Sequence, residues 1–564
     1  MSNTASSSAS VTTDPAHSPI AREFYEARRL SADAPKTIVI FDVETTGLSP
    51  AFDQIRQFAA LRTEDLDDPQ EGEDAINLTC RLRPEIVPSP QALLTTRVSP
   101  AEIEAPALSH AEMMGKIEDF LDASSPAVFA GHNVIWFDSP HIRHNLFSAL
   151  LSPYPLQTPG CRLFDSLRLA HLVYCLRPDA VIWPKRQDGK PVFRLGELAR
   201  GLGITFDETQ AHDAQADVQA TRDVLRVFRD RAPDLYALAL ALCDKGYVCD
   251  LLGRYPVVGQ LGVYGGVSSV MPLTALTRDP ANPNASLMVD LRIDPETYRS
   301  LPDADLASLM AGRTSPVRSM KHNAMPLLIP LKLTDPLAPE ASMALHAHDP
   351  DGDPARADDL LQHRAALLKA DNDFIERARA IRARQSADRV ISPHVEEQLY
   401  CAFPGYADRA LGRRFHDTSI EKRAALIPQF KDERLRVHAT RLVHHDAPHT
   451  LDSETRRAMD HWLHHRLTTE DDVPWMTLPR ALAETEDLRE LLVRRLDAEA
   501  CEAIADAPPI LDTETGALLP DSEVIMEVEQ LRLAYIEEHV GTSLKLLDDY
   551  ADWLRNRCAE VTRI

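Results

Sequence analysis

The chain has 564 residues, with 61 Lys and Arg against 86 Asp and Glu, for a formal net charge of −25. That length allows several domains; no apolar run is long enough to cross a membrane. The eight cysteines are scattered without a C-x-x-C pair, so neither a zinc site nor a disulfide framework is expected and a reducing cytoplasm is.

Residues 1–35 are rich in Ser, Ala and Thr and lack an apolar period, which predicts a disordered extension. They contain no hydrophobic core of a secretory signal. The run Thr37–Phe41 is β-branched and aromatic, as suits a buried strand. Asp42 and Glu44 follow at spacing two, which places both carboxylates on one face of a strand. Two adjacent carboxylates repel, and a divalent metal is the usual means of keeping both ionised. Thr45-Thr46-Gly47 reads as a turn.

Further strands are expected near Gln57–Arg62 and Ala127–Ala130, and a helix near Ser109–Leu121, a mixed α/β pattern. The stretch Gly131-His132-Asn133-Val134-Ile135-Trp136-Phe137-Asp138 supplies a third acid behind an apolar run. A helix over Phe164–Leu176 stops at Arg177-Pro178. Another opens at Phe193-Arg194-Leu195 and ends near Gly201–Gly203. Ala214, Val218, Thr221, Leu225 and Phe228 form one helical stripe, with a fourth acid, Asp217, at its edge. His212 precedes that helix in a loop, free to reach a substrate.

Beyond residue 232, Val257–Gly262 and Leu287–Leu291 read as short strands with glycine turns, a small β domain. Residues 347–359 look like a loop, and Leu360–Arg389 is helical with many arginines. From Ile391 onward the pattern is helical. Charge is uneven there: Arg409–Arg441 holds nine basic residues against four acidic ones, and Cys501–Gln530 holds eight acids with no Lys or Arg. A negative chain repels phosphate, so a nucleic-acid ligand would rely on such basic stretches.

The order D-x-E, N-x-x-x-F-D, H-x-x-x-x-D resembles the DEDDh group of 3′→5′ exonucleases. Leu176-Arg177-Pro178, Ile182-Trp183-Pro184, Asp188-Gly189, Phe193-Arg194-Leu195 and Ala211-His212-Asp213-Ala214 narrow the resemblance to the bacterial exodeoxyribonuclease I family, and matches continue through Val257–Gly262, Leu287–Leu291 and Val395–Tyr400. The resemblance implies a ribonuclease H-like α/β exonuclease domain over 36–232, an SH3-like domain over 233–391 and an α-helical domain over 392–564. It implies two Mg²⁺ ions, replaceable by Mn²⁺, on Asp42, Glu44, Asp138 and Asp217, with His212 as general base and substrate contacts from Glu44 and Arg194.

The implied activity is 3′→5′ hydrolysis of single-stranded DNA to nucleoside 5′-monophosphates by a monomer, in DNA repair and recombination. The alternatives are a proofreading or RNA-trimming exonuclease and a catalytically silent single-strand-binding module. The resemblance also implies a partner, the acidic tail of single-stranded-DNA-binding protein, with Arg177 on its docking surface; the competing role for Arg177 is to cap its helix. Trp183 is a candidate for base stacking if exposed. The chain departs from the family in its D-V-E-T-T-G motif, in Val134 where a second asparagine is common, in Ser139-Pro140 after Asp138, and in His444-His445-Asp446 where arginines and an asparagine are usual.

Overall fold

The strand that carries Asp42 and Glu44 is the centre of a five-stranded mixed sheet. β1 (Ile38–Thr45) pairs antiparallel with β2 (Ile55–Thr63), and β2 with β3 (Ala75–Thr79). On its other side β1 runs parallel to β4 (Val128–Gly131), and β4 to β5 (Arg162–Asp165), giving the order β3-β2-β1-β4-β5. The computed structural model describes residues 18–67, 74–205, 213–338, 353–505 and 521–561.

Both faces of the sheet are covered, which is why its central strands are apolar on both sides. Val39, Phe41 and Val43 pack with Met113, Ile117 and Leu121 of the helix His110–Ser124 and with Ile142 and Leu146 of the helix Asp138–Ser148. Ile40, Ala59 and Leu61 face Leu169 and Val173 of the helix Ser166–Leu176 and Val218, Leu225 and Phe228 of the helix Ala214–Arg231. The sequence pattern missed β3, β5 and the helix Asp138–Ser148. Phe164 and Asp165 belong to β5 rather than to the following helix, because the Asp165 carboxylate caps that helix by accepting from Leu167 and Arg168 N–H.

The disordered extension expected over residues 1–35 is corrected for its second half. Pro19–Ser31 is a helix capped by Ser18, and it buries Ile20, Glu23 and Ala27. Glu23 is what the composition concealed: its carboxylate accepts from Tyr247 Oη at 2.8 Å, Arg254 Nη2 at 2.7 Å and Tyr255 Oη at 2.9 Å. Residues 1–17 lie outside the described residues.

β6 (Val258–Tyr264), β7 (Val267–Arg278), β8 (Ala285–Asp290), β9 (Val317–Lys321) and β10 (Leu328–Pro330) form a second sheet in the order β10-β6-β7-β8-β9. Every neighbouring pair is antiparallel. Its apolar face, with Leu261, Val270 and Leu287, is continuous with the core beneath the first sheet, and Leu361 and Phe374 from the helices Pro354–Ala370 and Asn372–Ala387 join it.

The C-terminal region is helical and shares two cores with the first domain. In one, Ala111, Phe147 and Leu150 pack with Leu411, Phe415, Leu435 and Leu442. In the other, Val87, Leu93 and Ile103 pack with Leu467, Leu478, Tyr550 and Leu554. Buried charges gather at the same junction, and His445 with Glu85 crosses it. Glu396 meets Arg441 at 3.0 Å and Arg466 at 3.5 Å, while His445 Nε2 lies 3.0 Å from Glu85. Burial alone would raise the Glu85 carboxyl, but His445 and Arg83 more than offset it and hold it well below the usual range. No helix among the described residues is long and apolar enough to cross a membrane.

Candidate active site

β1 extends through Thr45, so Asp42 and Glu44 leave the same face of one continuous strand. Asp217, in the first turn of the helix Ala214–Arg231, meets them there: one carboxylate oxygen from each of the three residues lies within 4.8 Å of the others. Asp138 comes from the neighbouring parallel strand, through the loop that follows β4. It opens the helix Asp138–Ser148, and its Oδ1 accepts from Val43 N–H at 3.0 Å, between the two acids of β1.

Burial and mutual repulsion push these carboxyls in one direction. Asp42 is raised well above the usual range by burial and then by Asp138, Glu44 and Asp217. Glu44 is raised by burial and by Asp217, with Arg56 partly opposing. Burial carries Asp138 up to about 8, and burial with the nearby Asp213 carries Asp217 up to about 7. An all-oxygen, anionic donor set that takes up protons in this way fits a hard divalent cation.

The turn after β1 is built on Asp53, whose carboxylate accepts from Thr46 Oγ1 and from Ser49 N–H. A Cβ on Gly47 would sit 2.6 Å from that carboxylate, so the last residue of D-V-E-T-T-G has to be glycine. Gly131 ends β4 under a similar demand, since a Cβ there would lie 2.1 Å from Val134 and 2.6 Å from Phe41 O. Val134 is fully buried in the core. Its place in the motif is therefore a packing position, and the change from asparagine leaves the acids untouched.

Sequence reasoning missed three supporting residues. Asp213 caps the helix that carries Asp217 and accepts from Gln57 Nε2 at 3.1 Å; Gln57 is the cross-strand neighbour of Glu44. His132 joins the loop after β4 to the next segment: Nε2 bonds Phe193 O at 2.9 Å and Nδ1 bonds Ser166 Oγ at 2.8 Å. The carbonyl can only accept, so Nε2 carries the proton and Nδ1 accepts from the serine. Burial pushes this imidazole down to about 4, which keeps it neutral. Only Asp213 had a sequence signal, as an acid immediately before a helix.

His212 lies outside the described residues, next to the Asp213 cap. Arg194 stands at the N-cap position of the helix Leu195–Gly201 without a side-chain capping bond and is 86% exposed, with Glu197 at 3.7 Å. Trp183 is a core residue: it is buried among Tyr174, Phe193 and Phe228, and its Nε1 donates to Pro178 O at 2.7 Å. Arg177 closes its helix through its backbone N–H to Val173 O, and its guanidinium grips both carboxylate oxygens of Asp234.

Residues 39–225 match the family model described as Exonuclease, and residues 393–504 match the Exonuclease I C-terminal domain. Exodeoxyribonuclease I of Escherichia coli (strain K12) is 29% identical over 451 residues, covering 76% of this chain and 89% of that protein. A solved structure of a moderately thermophilic exonuclease I from Methylocaldum szegediense superposes with a TM-score of 0.68 at 26% identity, over 89% of this chain and 99% of that one. E. coli exonuclease I in complex with a dA16 oligonucleotide shares the fold, with a TM-score of 0.69 at 23% identity over 92% and 99% of the two chains. A nuclease match followed by a C-terminal match specific to exonuclease I, on a fold shared over nearly the full length, leads to one conclusion: the chain belongs to the exodeoxyribonuclease I family and is an exonuclease.

Proposed function

We propose that the chain removes nucleotides from the 3′ end of single-stranded DNA and releases nucleoside 5′-monophosphates. The observation that carries this reading is the convergence of Asp42, Glu44 and Asp217 within 4.8 Å. With Asp138 beside them, these acids would hold two Mg²⁺ ions, or Mn²⁺ in their place. Bound there, the ions supply Lewis-acid stabilisation of the attacking and leaving oxygens of a phosphodiester. His212, in this reading, takes the proton of the attacking water on an imidazole nitrogen. Glu44 contacts the terminal nucleotide, and the exposed Arg194 holds a backbone phosphate.

Three functional units follow: the nuclease over 36–232, an SH3-like domain over 233–391 and a helical domain over 392–564. The five antiparallel strands β6–β10 support the middle assignment. The chain would act in DNA repair, with single-stranded-DNA-binding protein as partner. Arg177 is a weaker docking residue than the sequence suggested, because an acidic tail has to displace Asp234 from it.

The deciding experiment gives the full chain 5′-labelled single-stranded DNA, duplex DNA and RNA, with and without Mg²⁺. Shortening of single-stranded DNA from its 3′ end, only with metal, is expected. Binding without cleavage would make the chain a silent single-strand module, and preference for RNA would make it a trimming enzyme.

A further inference from the structure

Trp136 is 72% exposed, whereas Trp183 and Trp475 are buried at 8% and 9%. An exposed indole two residues from the buried Asp138 needs a reason. It stands in the loop between β4 and Asp138, two residues from an acid whose Oδ1 bonds Val43 N–H between Asp42 and Glu44. Two residues span at most about 7 Å of chain, so the backbone that carries the ring lies within that distance of Asp138.

The loop that presents it is held firmly. Asn133 adopts a left-handed conformation, φ 66°. Its carbonyl accepts from both Trp136 and Phe137 N–H at 3.1 Å. The fully buried Asp165 accepts from Asn133 N–H at 3.0 Å and from Ile135 N–H at 3.2 Å. Asp165 also caps the helix Ser166–Leu176, whose first turn carries Arg168. The Arg168 guanidinium reaches back to 5.9 Å from the indole centroid and is itself fixed by a 2.8 Å bond to Met325 O. Tyr264, 64% exposed at the end of β6, also lies within electrostatic reach of Arg168. An open indole beside an anchored cation matches the composition of surfaces that stack bases while neutralising phosphate.

We propose that Trp136 is a base-stacking platform for the substrate strand, positioned beside the acid cluster by Asp165 and Arg168. This inference rests on the single-strand reading given above. Its role is to hold a base near the reacting end independently of base identity, since every base offers a π-face.

The test measures binding by the full chain, in EDTA so that no cleavage occurs, to an oligo(dT) and to the same oligonucleotide made abasic at its 3′-terminal positions. Trp136→Ala is expected to weaken oligo(dT) binding about tenfold, and Trp136→Phe to recover most of the loss. Parent and Trp136→Ala should bind the abasic strand alike. Oligo(dT) should quench the parent's indole emission, and Trp136→Phe should lose that quenching. Should Trp136→Ala fail to fold, the difference in quenching between parent and Trp136→Phe decides alone. Equal oligo(dT) affinity in folded Trp136→Ala and parent, or an equal loss on the abasic strand, overturns the stacking role. If the parent binds neither oligonucleotide, the single-strand reading falls with it; if the parent binds and degrades DNA while the variants match it, only the role of Trp136 is lost.

Discussion

Four neighbouring carboxyls, Glu44 and Asp138 buried and Asp42 and Asp217 half-buried, set the behaviour of this site at the scale of single residues. Asp42 and Glu44 are raised well above their usual range, Asp138 to about 8 and Asp217 to about 7. In the unfolded chain such groups titrate near pH 4. Between about pH 4 and pH 8 these four groups therefore bind more protons in the metal-free folded protein than in the unfolded one, and their contribution to stability falls as pH rises. A divalent cation competes with those protons, so its stabilising effect grows with pH. We expect Mg²⁺ to raise the thermal midpoint more at pH 8 than at pH 5, and Asp217→Asn to shrink that rise. The same variant should lose cleavage while keeping single-strand binding. An equal midpoint rise at both pH values, or near-normal turnover by folded Asp217→Asn, would remove the cluster from the chemistry. His212→Ala should cost roughly 100-fold or more in single-turnover rate if the imidazole is the base; a variant that keeps its rate and pH profile would make His212 structural.

These acids were legible in the sequence because a strand fixes the i, i+2 relation locally, and because the other two acids came with recognisable neighbours. At the scale of elements the reading was weaker, since partners distant in the chain decide it. Arg364 bonds the carbonyls of Leu291 and Arg292, Arg377 pairs with Asp303, and Arg382 pairs with Asp279. In the second basic stretch Arg423 is tied to Asp446, Arg434 to Asp432 and Arg441 to Glu396. Several arginines that looked like a phosphate surface are internal ties, whereas Arg379, Arg384, Arg389, Arg409, Arg413 and Arg414 stay exposed. His444 and His445 likewise face Asp460 and Glu85 inside the junction rather than a DNA strand. The helix Pro19–Ser31 was hidden for the same reason: the partners of Glu23 lie more than 200 residues away. Removing one member of a buried charge cluster costs about 3–5 kcal/mol. Glu23→Ala should therefore lower unfolding stability by about 3 kcal/mol without changing metal-dependent cleavage at a temperature where the variant is folded. A denaturation midpoint equal to the parent's would show that this helix is only loosely attached.

For the whole molecule, the question is whether the C-terminal helices are a clamp added to an independent nuclease or part of what keeps the nuclease folded. The two apolar seams favour the second answer. Ala111, Phe147 and Leu150 on one side, and Val87, Leu93 and Ile103 on the other, are buried against residues beyond 392. Tyr550 Oη bonds Pro88 O at 2.5 Å, and Trp553 Nε1 bonds Glu104 at 2.7 Å, so the last helix is also latched to the segment that follows β3. Burial of a large apolar side chain is worth about 1.5–3 kcal/mol. The five larger seam residues of the first domain therefore draw on the order of 10 kcal/mol from this contact, comparable with the roughly 5–15 kcal/mol total stability of an ordinary domain. Truncation also strands Glu85, which loses His445 while staying close to Arg83. We expect a chain ending at residue 391 to lose cooperative unfolding and to expose apolar surface to a hydrophobic dye, so that any fall in processivity on truncation would report misfolding rather than loss of a clamp. A clamp role is better tested in the intact chain by reversing the exposed charges, with Arg409→Glu and Arg413→Glu expected to flatten the salt dependence of DNA binding while leaving the thermal midpoint nearly unchanged. If the truncated chain instead unfolds cooperatively and still cleaves a short oligonucleotide, the seams are dispensable, and the nuclease stands as an independent domain.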